Sequence, residues 1–399
     1  MLTGKTIVLG VTGSIAAYKT ANLASMLVKL NADVHVIMTP NATHFITPMT
    51  FETLTNNKCI VDTFDRNFNF EVKHVSLAKR GDLFLVAPCT ANVIGKLAGG
   101  ICDDMLTTTL LATKAPKLIA PAMNTGMWEN PILQDNLRKL ENYGYHIIQP
   151  ATGRLACGDI GSGKMPAEEL LLEHILISIA KDKDLKGKKI LVTAGPTQEA
   201  IDPVRFITNH SSGKMGYALA KMAVLRGAEV TLVSGPVNVK PFAGIEVVDV
   251  ESARQMFEAV TSRSADYDAV IMCSAVADYT PASYSDRKVK KHDGDLSIAL
   301  TRTKDILAWL GEHKMERQIL VGFSMETEHL IENSRAKLTA KHADLICANS
   351  ITGNQTGFAV DTNKVTLISE QAVKELPLCS KEETADLILD QIAATLCTS

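Results

Sequence analysis

Eight cysteines are spread through the 399 residues, at 59, 89, 102, 157, 273, 347, 379 and 397, without one CxxC pair or a CxxC followed by HxxxH. That argues against structural zinc and a disulfide framework, leaving reduced thiols, one of them a candidate for catalysis. No apolar run approaches the roughly 20 residues that span a bilayer. The N-terminus also lacks a basic region followed by an apolar core and a small-residue cleavage site, so a cytoplasmic protein without a membrane partner is expected. Charge of one sign is not in excess. A formal charge of −3, with 21% charged and 46% hydrophobic residues, argues against disorder and against nucleic acid as a partner. The dinucleotide pattern GxGxxG and Walker A spacing are both missing, which disfavours a P-loop NTPase and leaves other small-molecule chemistry.

A chain of this length exceeds the roughly 250–300 residues at which one core stops growing, so two domains are expected. Lys181–Lys189, KDKDLKGKK, is charged and nearly free of aliphatic residues. After it the chain restarts with ILVTAGPT, much as it began with TIVLGVTGS near residue 6. The expectation is an α/β chain of two doubly wound parallel-sheet domains, at 1–182 and 187–399, joined there. The sheet pattern alone leaves three classes open: a two-step biosynthetic enzyme, a flavin- or nicotinamide-dependent oxidoreductase, and a nucleotide-binding scaffold.

In the first half, Thr6–Val11, Asp33–Met38, Leu83–Ala87 and Lys117–Ala120 have the unbroken apolar character of strands buried on both faces. Ser14–Leu30 reads as the first helix, with Ile15, Leu23, Leu27 and Leu30 among its apolar positions. Each strand stops at a loop rich in Gly, Pro, Thr or Asn: GVTGS, MTPNAT, APCTAN and APAMNTGMW. If the strands are parallel, these loops share one sheet edge, where doubly wound folds bind ligands. Gly10 and Gly13 permit a tight turn, and Ser14 opens a helix N-terminus suited to phosphate. Thr39, Thr90 and Asn92 add polar groups at neighbouring strand ends. A mononucleotide such as FMN fits, with Gly13, Ser14, Thr39, Pro88, Thr90 and Asn92 as candidate contacts. His74 reads as a structural histidine or an acid/base group, Asn124 as a turn former, Met127 and Trp128 as core, and Cys157 as a buried thiol or part of a Gly-rich lid.

GVTGSIAAYK, His74 followed by VSLA, APCTAN, PAMNTGMW and ACGDIGSGKM resemble, in this order and spacing, the flavin-containing cysteine decarboxylases. The resemblance implies a flavodoxin-like fold, bound FMN, trimers, and an active site between subunits. A β-thiol amine beside a carboxylate has no electron sink for loss of CO₂, so the flavin first oxidises the cysteine moiety to a thioaldehyde. After CO₂ leaves, the ene-thiolate is protonated on carbon and reduced by the flavin hydride, and no net oxidant is consumed. By the same resemblance His74 is the active-site base, Asn124 holds the substrate carboxylate, and Cys157 supplies the proton. Arg80-Gly81-Asp82 stands where the family usually has Trp-Ala-Asp.

In the second half, strands are expected at Lys189–Ala194, Glu229–Ser234, Asp268–Ser274, Ile319–Phe323 and Asp344–Ala348, with a helix over Tyr217–Leu225. Ser211, Ser212 and Gly213 at a helix start read either as a phosphate site or as a plain cap. Arg287, Lys288, Lys290 and Lys291 in one loop, and Lys337 with Lys341 four apart on a helix face, suit a triphosphate. GPTQEAIDPVRFITNHSSGKMG, SAVADY, the RKVKK loop, VGFSMET and DLICANS resemble a CTP-using phosphopantothenate–cysteine ligase. With both halves in this order, nearly the whole chain is similar to the bifunctional decarboxylase/ligases of coenzyme A biosynthesis.

The second resemblance implies a Rossmann-like fold, dimers, and attack of the 4'-phosphopantothenate carboxylate on the α-phosphate of CTP with Mg²⁺. An acyl-cytidylate and pyrophosphate form, and the amine of L-cysteine then displaces CMP. It also implies that Lys288, Lys337 and Lys341 bind CTP, that Phe323 and Asp278 belong to the nucleotide pocket with Ser274, Asp305 and Ile306, and that Asn209 acts on the acyl-cytidylate. Arg205 is the expected partner of the pantothenate phosphate or the intermediate. Ser274 replaces the first Ala of the usual AAVAD pattern, and no protein ligand for Mg²⁺ is identified.

Overall fold

A computed structural model describes residues 1–64, 73–156, 158–289, 297–326, 328–350 and 361–398. The chain forms two compact units, Met1–Lys181 and Asp182–Ser399.

The first unit carries β1 (Thr6–Val11), α1 (Ala17–Lys29), β2 (Asp33–Met38), α2 (Pro48–Thr55), α3 (Lys73–Arg80), β3 (Leu83–Cys89), α4 (Ala91–Gly99), α5 (Met105–Ala112), β4 (Lys117–Pro121), α6 (Thr125–Trp128), α7 (Pro131–Asn142) and β5 (Tyr145–Ile147). An antiparallel hairpin of β6 (Ala151–Arg154) and β7 (Ile160–Lys164) follows, then α8 (Glu168–Ile179). β1 to β5 form one parallel sheet in the order β2-β1-β3-β4-β5. Every residue of β1 and β3 is buried, which explains their unbroken apolar runs: helices cover both faces.

The first helix begins at Ala17, later than the sequence pattern indicates. The Ser14 amide turns back to the Thr12 carbonyl at 2.8 Å, and Ala17 N–H donates to the Ser14 carbonyl. The polypeptide therefore makes a turn over 12–16, and Ile15 stands 57% exposed instead of joining the apolar face of the helix. Behind this turn Phe84, Val86, Ile94, Leu106 and Leu137 belong to one buried cluster, to which Trp128 adds a partly buried ring. Burial of each large side chain contributes about 1.5–3 kcal/mol.

The second unit comprises β8 (Lys189–Ala194), β9 (Gln198–Ala200), β10 (Phe206–Thr208), α9 (Lys214–Leu225), β11 (Glu229–Ser234), β12 (Ile245–Asp249), α10 (Ala253–Thr261), β13 (Ala269–Met272), β14 (Tyr279–Pro281), β15 (Leu300–Arg302), α11 (Ile306–His313), β16 (Ile319–Glu326), α12 (Leu330–Ala340), β17 (Leu345–Ser350), β18 (Thr362–Asn363), β19 (Val365–Ile368), β20 (Val373–Glu375), β21 (Cys379–Ser380) and α13 (Lys381–Thr398). Its main sheet runs β12-β11-β8-β13-β16-β17-β19-β20. Pairing is parallel as far as β17. It becomes antiparallel at β19 and β20, which follow the strands expected from the sequence. β9 with β10, and β14 with β15, form separate antiparallel ribbons.

α9 is buried along most of its length, because α13 lies against it. α13 reads KEETADLILDQIAATLCT, and its buried residues Ala385, Ile388, Leu389, Ile392, Ala393 and Leu396 recur at spacings of three and four, one stripe of a helix.

The charged segment after Lys181 is part of the second unit and not a free tether, so that unit begins before residue 187. Leu185 is 1% exposed, its N–H donates to the Arg226 carbonyl, and the Lys183 ammonium donates to the Leu225 carbonyl. The Arg226 side chain, itself 6% exposed, bonds Asp184 at 2.5 Å and reaches Asp386 at 3.3 Å and Asp390 at 2.8 Å in α13. One guanidinium thus fastens the entry segment and the last helix to the end of α9. A fragment starting at Asp182 should therefore outlast one starting at Lys189, by about 2–4 kcal/mol from the loss of Leu185 burial and of one Arg226 partner. Urea denaturation of the two fragments reads this; equal midpoints would show that the segment contributes nothing.

Candidate functional site

In each unit the strand order reverses once. β1 lies between β2 and β3, and β8 lies between β11 and β13. At such a reversal the connections leave for opposite faces and a crevice opens beyond the strand ends. A threonine spans each crevice. Thr12, fully buried after β1, donates to the Pro88 carbonyl at 2.8 Å and accepts from Thr90 N–H at 3.0 Å. Thr193, fully buried in β8, accepts from the amides of Cys273 and Ser274, both at 3.1 Å, and donates to Ser274 Oγ at 2.8 Å. Neither threonine stood out in the sequence: a Thr at a strand end is common, and only the strand order shows what it bridges.

The first crevice is a cavity of about 770 Å³ that brings together Gly13, Ser14, Thr39, Thr90 and Asn92. Pro88 does not line it; the Pro88 carbonyl faces Thr12. The N-terminus of α4 opens on the cavity without a side-chain cap, and the turn that precedes α1 lines it. Uncapped helix starts with N–H groups toward a cavity suit a phosphate. Thr39 Oγ1 is buried without a hydrogen-bond partner, which a ligand would supply. A Cβ on Gly13 would lie 2.7 Å from Asn41 Cβ, so the turn needs glycine for close packing. Ile15, Phe45, Met123 and Met127 add an apolar wall. The residues therefore fit a polar mononucleotide with a flat apolar ring.

Lys96, Asp103 and Asp104 also line this cavity, an ion cluster absent from the sequence reading. The Lys96 ammonium lies 2.7 Å from Asp103 and 3.4 Å from Asp104. Its bond to Asp103 pushes its pKa up.

Asn124 caps α6, accepting from Gly126 N–H at 2.8 Å, while its Nδ2 donates to Asp159 at 3.2 Å. Asp159 directly precedes β7, which crosses the same loop: Met123 N–H donates to the Gly163 carbonyl, and a Cβ on Gly163 would come within 2.4 Å of the Met123 carbonyl oxygen. The clamp that carries position 157 is thereby locked to the Asn124 loop, although Cys157 itself lies outside the described residues. His74 is half-buried on α3 and does not line the cavity.

The second crevice holds a smaller cavity, about 150 Å³, lined by Ser211–Gly216, Ser274, Phe323, Asn349 and Lys381 among others. Nearby, Lys337 donates from its ammonium to the Phe323 carbonyl at 2.8 Å. Burial pushes the Lys337 pKa down, against the pull of Asp305, Glu326 and Asp278. Lys341 bonds Asp305 at 2.7 Å, and Asp305 caps α11 by accepting from Ala308 N–H. Burial would raise the Asp305 carboxyl, but Lys341 and the Ala308 amide hold it below its ordinary value. Ile306 follows, 4% exposed. Phe323, Lys337, Lys341, Asp305 and Asp278 thus form one neighbourhood.

Asn209 donates to the carbonyls of Ala275 at 3.1 Å and Val276 at 3.3 Å, which ties the 209–213 loop to the loop of Ser274 and Asp278. The Arg205 guanidinium holds buried Asp202 and the Val289 carbonyl. Asp202 also accepts from the amides of Val204, Arg205 and Val289. Together they brace the loop bearing Lys288, which is exposed; Lys290 and Lys291 lie outside the described residues. Among the described residues no group of three or more His, Cys, Asp or Glu could hold a metal ion. Nor is any helix there long and apolar enough to cross a membrane.

The chain matches two family models, "Flavoprotein" over residues 1–180 and "DNA/pantothenate metabolism flavoprotein C-terminal domain" over residues 185–396. The coenzyme A biosynthesis bifunctional protein CoaBC of Bacillus subtilis (strain 168) is 48% identical over 398 residues, covering 99% of this chain and 98% of that protein. The protein of the same name from Vibrio vulnificus (strain YJ016) is 44% identical over 393 residues, 98% of both chains. A crystal structure of the C-terminal domain of a CoaBC protein is 46% identical, covering 55% of this chain and 100% of its own, with a TM-score of 0.47.

Thr12→Val should leave the Pro88 carbonyl and the Thr90 amide buried and unpaired, a loss of about 2 kcal/mol in the first unit. Urea denaturation monitored in that unit reads the loss, and Thr12→Ser should restore most of it. A Thr12→Val midpoint equal to that of the parent would mean that water replaces the hydroxyl.

Proposed function

For a chain that belongs to the family of coenzyme A biosynthesis bifunctional proteins, we propose that each unit runs one of two consecutive reactions at its own switch-point cavity. The enzyme is bifunctional, a flavoprotein decarboxylase joined to a ligase. The carrying observation is that two separate cavities lie beyond the strand ends in one chain, the first mononucleotide-sized with an uncapped helix start, the second beside buried Lys381 and half-buried Lys337.

In the ligase domain, which we place at 187–399 with residues from 182 as its docked leader, the substrates are 4'-phosphopantothenate, CTP and L-cysteine. The carboxylate of phosphopantothenate attacks the α-phosphorus of CTP, the bond to the β-phosphate breaks, and pyrophosphate leaves with the electron pair. The amine of cysteine then displaces CMP and forms the amide. Lys288, Lys337 and Lys341 neutralise the nucleotide phosphates, and Mg²⁺ arriving with CTP would add to that neutralisation. Lys337 is half-deprived of solvent, and an arriving phosphate compensates the burial that weakens its charge. Ser274, Asp278, Asp305, Ile306 and Phe323 shape the nucleotide pocket. Asn209 holds the acyl-cytidylate beside the Ser274–Asp278 loop, and Arg205, braced on Asp202, meets the pantothenate phosphate or the intermediate.

In the decarboxylase domain, 1–182, the product of the ligase loses CO₂ to give 4'-phosphopantetheine. Gly13, Ser14, Thr39, Thr90 and Asn92 hold FMN, and Pro88 shapes the same loop. FMN supplies a two-electron sink that is refilled within the cycle, so no external oxidant is needed. His74 serves as base, Asn124 orients the substrate carboxylate, and Cys157 gives the proton to carbon. Second copies complete the sites. Ile15, Phe45 and Met127 are exposed at the mouth of the first cavity and support association there, in trimers by the resemblance. Phe206, Tyr279 and Leu300 are exposed on the two ribbons of the second unit and support association there, in dimers by the same resemblance.

Purified protein given phosphopantothenate, cysteine, CTP and Mg²⁺ should release pyrophosphate and CO₂ and yield phosphopantetheine; a folded, yellow protein producing neither gas nor pyrophosphate would sink the reading. Asn209→Asp sets a carboxylate against two carbonyls and should lower ligation by about 100-fold while decarboxylation survives. Parallel loss of both would point to misfolding. Cys157→Ser should stall after CO₂ release and accumulate an oxidised ene-thiol, and a normal phosphopantetheine yield would remove Cys157 as proton donor.

A further inference from the structure

We propose that Thr303 is a positioning residue of the ligase: it fixes the spacing of Asp278 and Asp305 around Lys337 and, through the loop 275–278, the place of Asn209. The proposal rests on the ligase reading of the second unit, in which Asp278 and Asp305 shape the nucleotide pocket and Asn209 holds the acyl-cytidylate.

Thr303 is half-buried directly after β15, where the antiparallel ribbon with β14 ends at the pair Tyr279 and Arg302. Its N–H donates to the Asp278 carbonyl at 3.0 Å, which carries the pairing one step past the ribbon. Its hydroxyl donates to the Ala277 carbonyl at 2.7 Å. Two residues later Asp305 accepts from Ala308 N–H at 2.8 Å, capping α11, and bonds Lys341 at 2.7 Å. The segment 303–305 is therefore held at one end by the 275–278 loop and at the other by α11. Burial lowers the Lys337 pKa, while Asp305, Glu326 and Asp278 raise it, so Asp278 and Asp305 act on the same ammonium from separate segments. Thr303 belongs to one of those segments and bonds the other.

The same loop meets Asn209 on its other side. The carbonyls of Ala275 and Val276 accept from the Asn209 amide at 3.1 and 3.3 Å. Ala277 N–H donates to the hydroxyl of fully buried Thr197 at 3.0 Å. The Thr197 carbonyl in turn accepts from Thr208, the neighbour of Asn209, at 2.7 Å. Residues 275–278 thus hang between Asn209 and Thr197 on one side and Thr303 on the other. A single hydroxyl-to-carbonyl bond adds little net stability, whereas a displacement of about 1 Å in a reacting complex can cost about 100-fold in rate. Thr303 does not line the second cavity and acts through these neighbours.

The test is the ligase assay of the full chain with CTP and cysteine varied in turn. Thr303→Val keeps the side-chain shape and removes the donor. It should raise KM for CTP about tenfold and leave KM for cysteine within about twofold, and Thr303→Ser should bring the CTP value back to within about threefold of the parent. A CTP value within about twofold of the parent in Thr303→Val, a parallel rise for both substrates, or a Ser variant as impaired as the Val variant overturns the proposal. On the unmodified chain, saturating CTP should slow amide hydrogen exchange about fivefold in 275–278 and in 208–211 together. Slowing in neither segment, or in only one, overturns it as well, whether or not the variants fold. Failure of the ligase reading is seen elsewhere, as no pyrophosphate formed from CTP and phosphopantothenate by the parent chain.

Discussion

A hydroxyl bridging two strand ends is the constraint on which both cavities depend. A parallel sheet that reverses its strand order must part its loops at the reversal, and the parted loops expose backbone amides and carbonyls that water cannot reach. Thr12 satisfies one carbonyl and one amide of the opposite loop in the first unit. Thr193 satisfies two amides in the second. Because the bridges are short and buried, the crevice stays open at a set width while its floor stays dry. Gly13, Asn92, Ser274 and the start of α9 are displayed around openings of that width.

The two cavities differ in how they treat charge. The first has one lysine, Lys96, and that lysine is neutralised by Asp103 and Asp104 within the cavity wall. Its attraction for phosphate comes from helix ends and hydroxyls, which suits a cofactor that stays. The second keeps Lys337 and Lys381 largely out of solvent, where burial works against their charge. A charge that burial disfavours gains more from a neighbouring anion than one already paired, as Lys96 is.

Arg226 sets the boundary between the units by the same economy of few contacts. One nearly buried guanidinium holds Asp184 from the entry segment and Asp386 and Asp390 from α13. α13 in turn covers α9 and delivers Lys381 to the cavity. The first and last segments of the second unit are thereby coupled to the helix whose N-terminus opens on the site.

The amino-acid sequence by itself determined the repeated α/β pattern, the place of the central strands, and the loops that gather polar groups, because buried parallel strands need unbroken apolar runs and their connections need Gly, Pro, Thr and Asn. It also placed Thr39, Thr90 and Asn92 at one edge, and Phe323, Lys337 and Lys341 near another. Tertiary structure alone decided which strands are neighbours, and so what Thr12 and Thr193 bridge. It set Arg205 against buried Asp202, joined Lys96 to the first cavity, and brought Lys381 from the far end of the chain to the second. The reason is physical. Burial patterns are local and periodic, whereas hydrogen bonds and charges act between groups whose distance is set only when helices and sheet are packed.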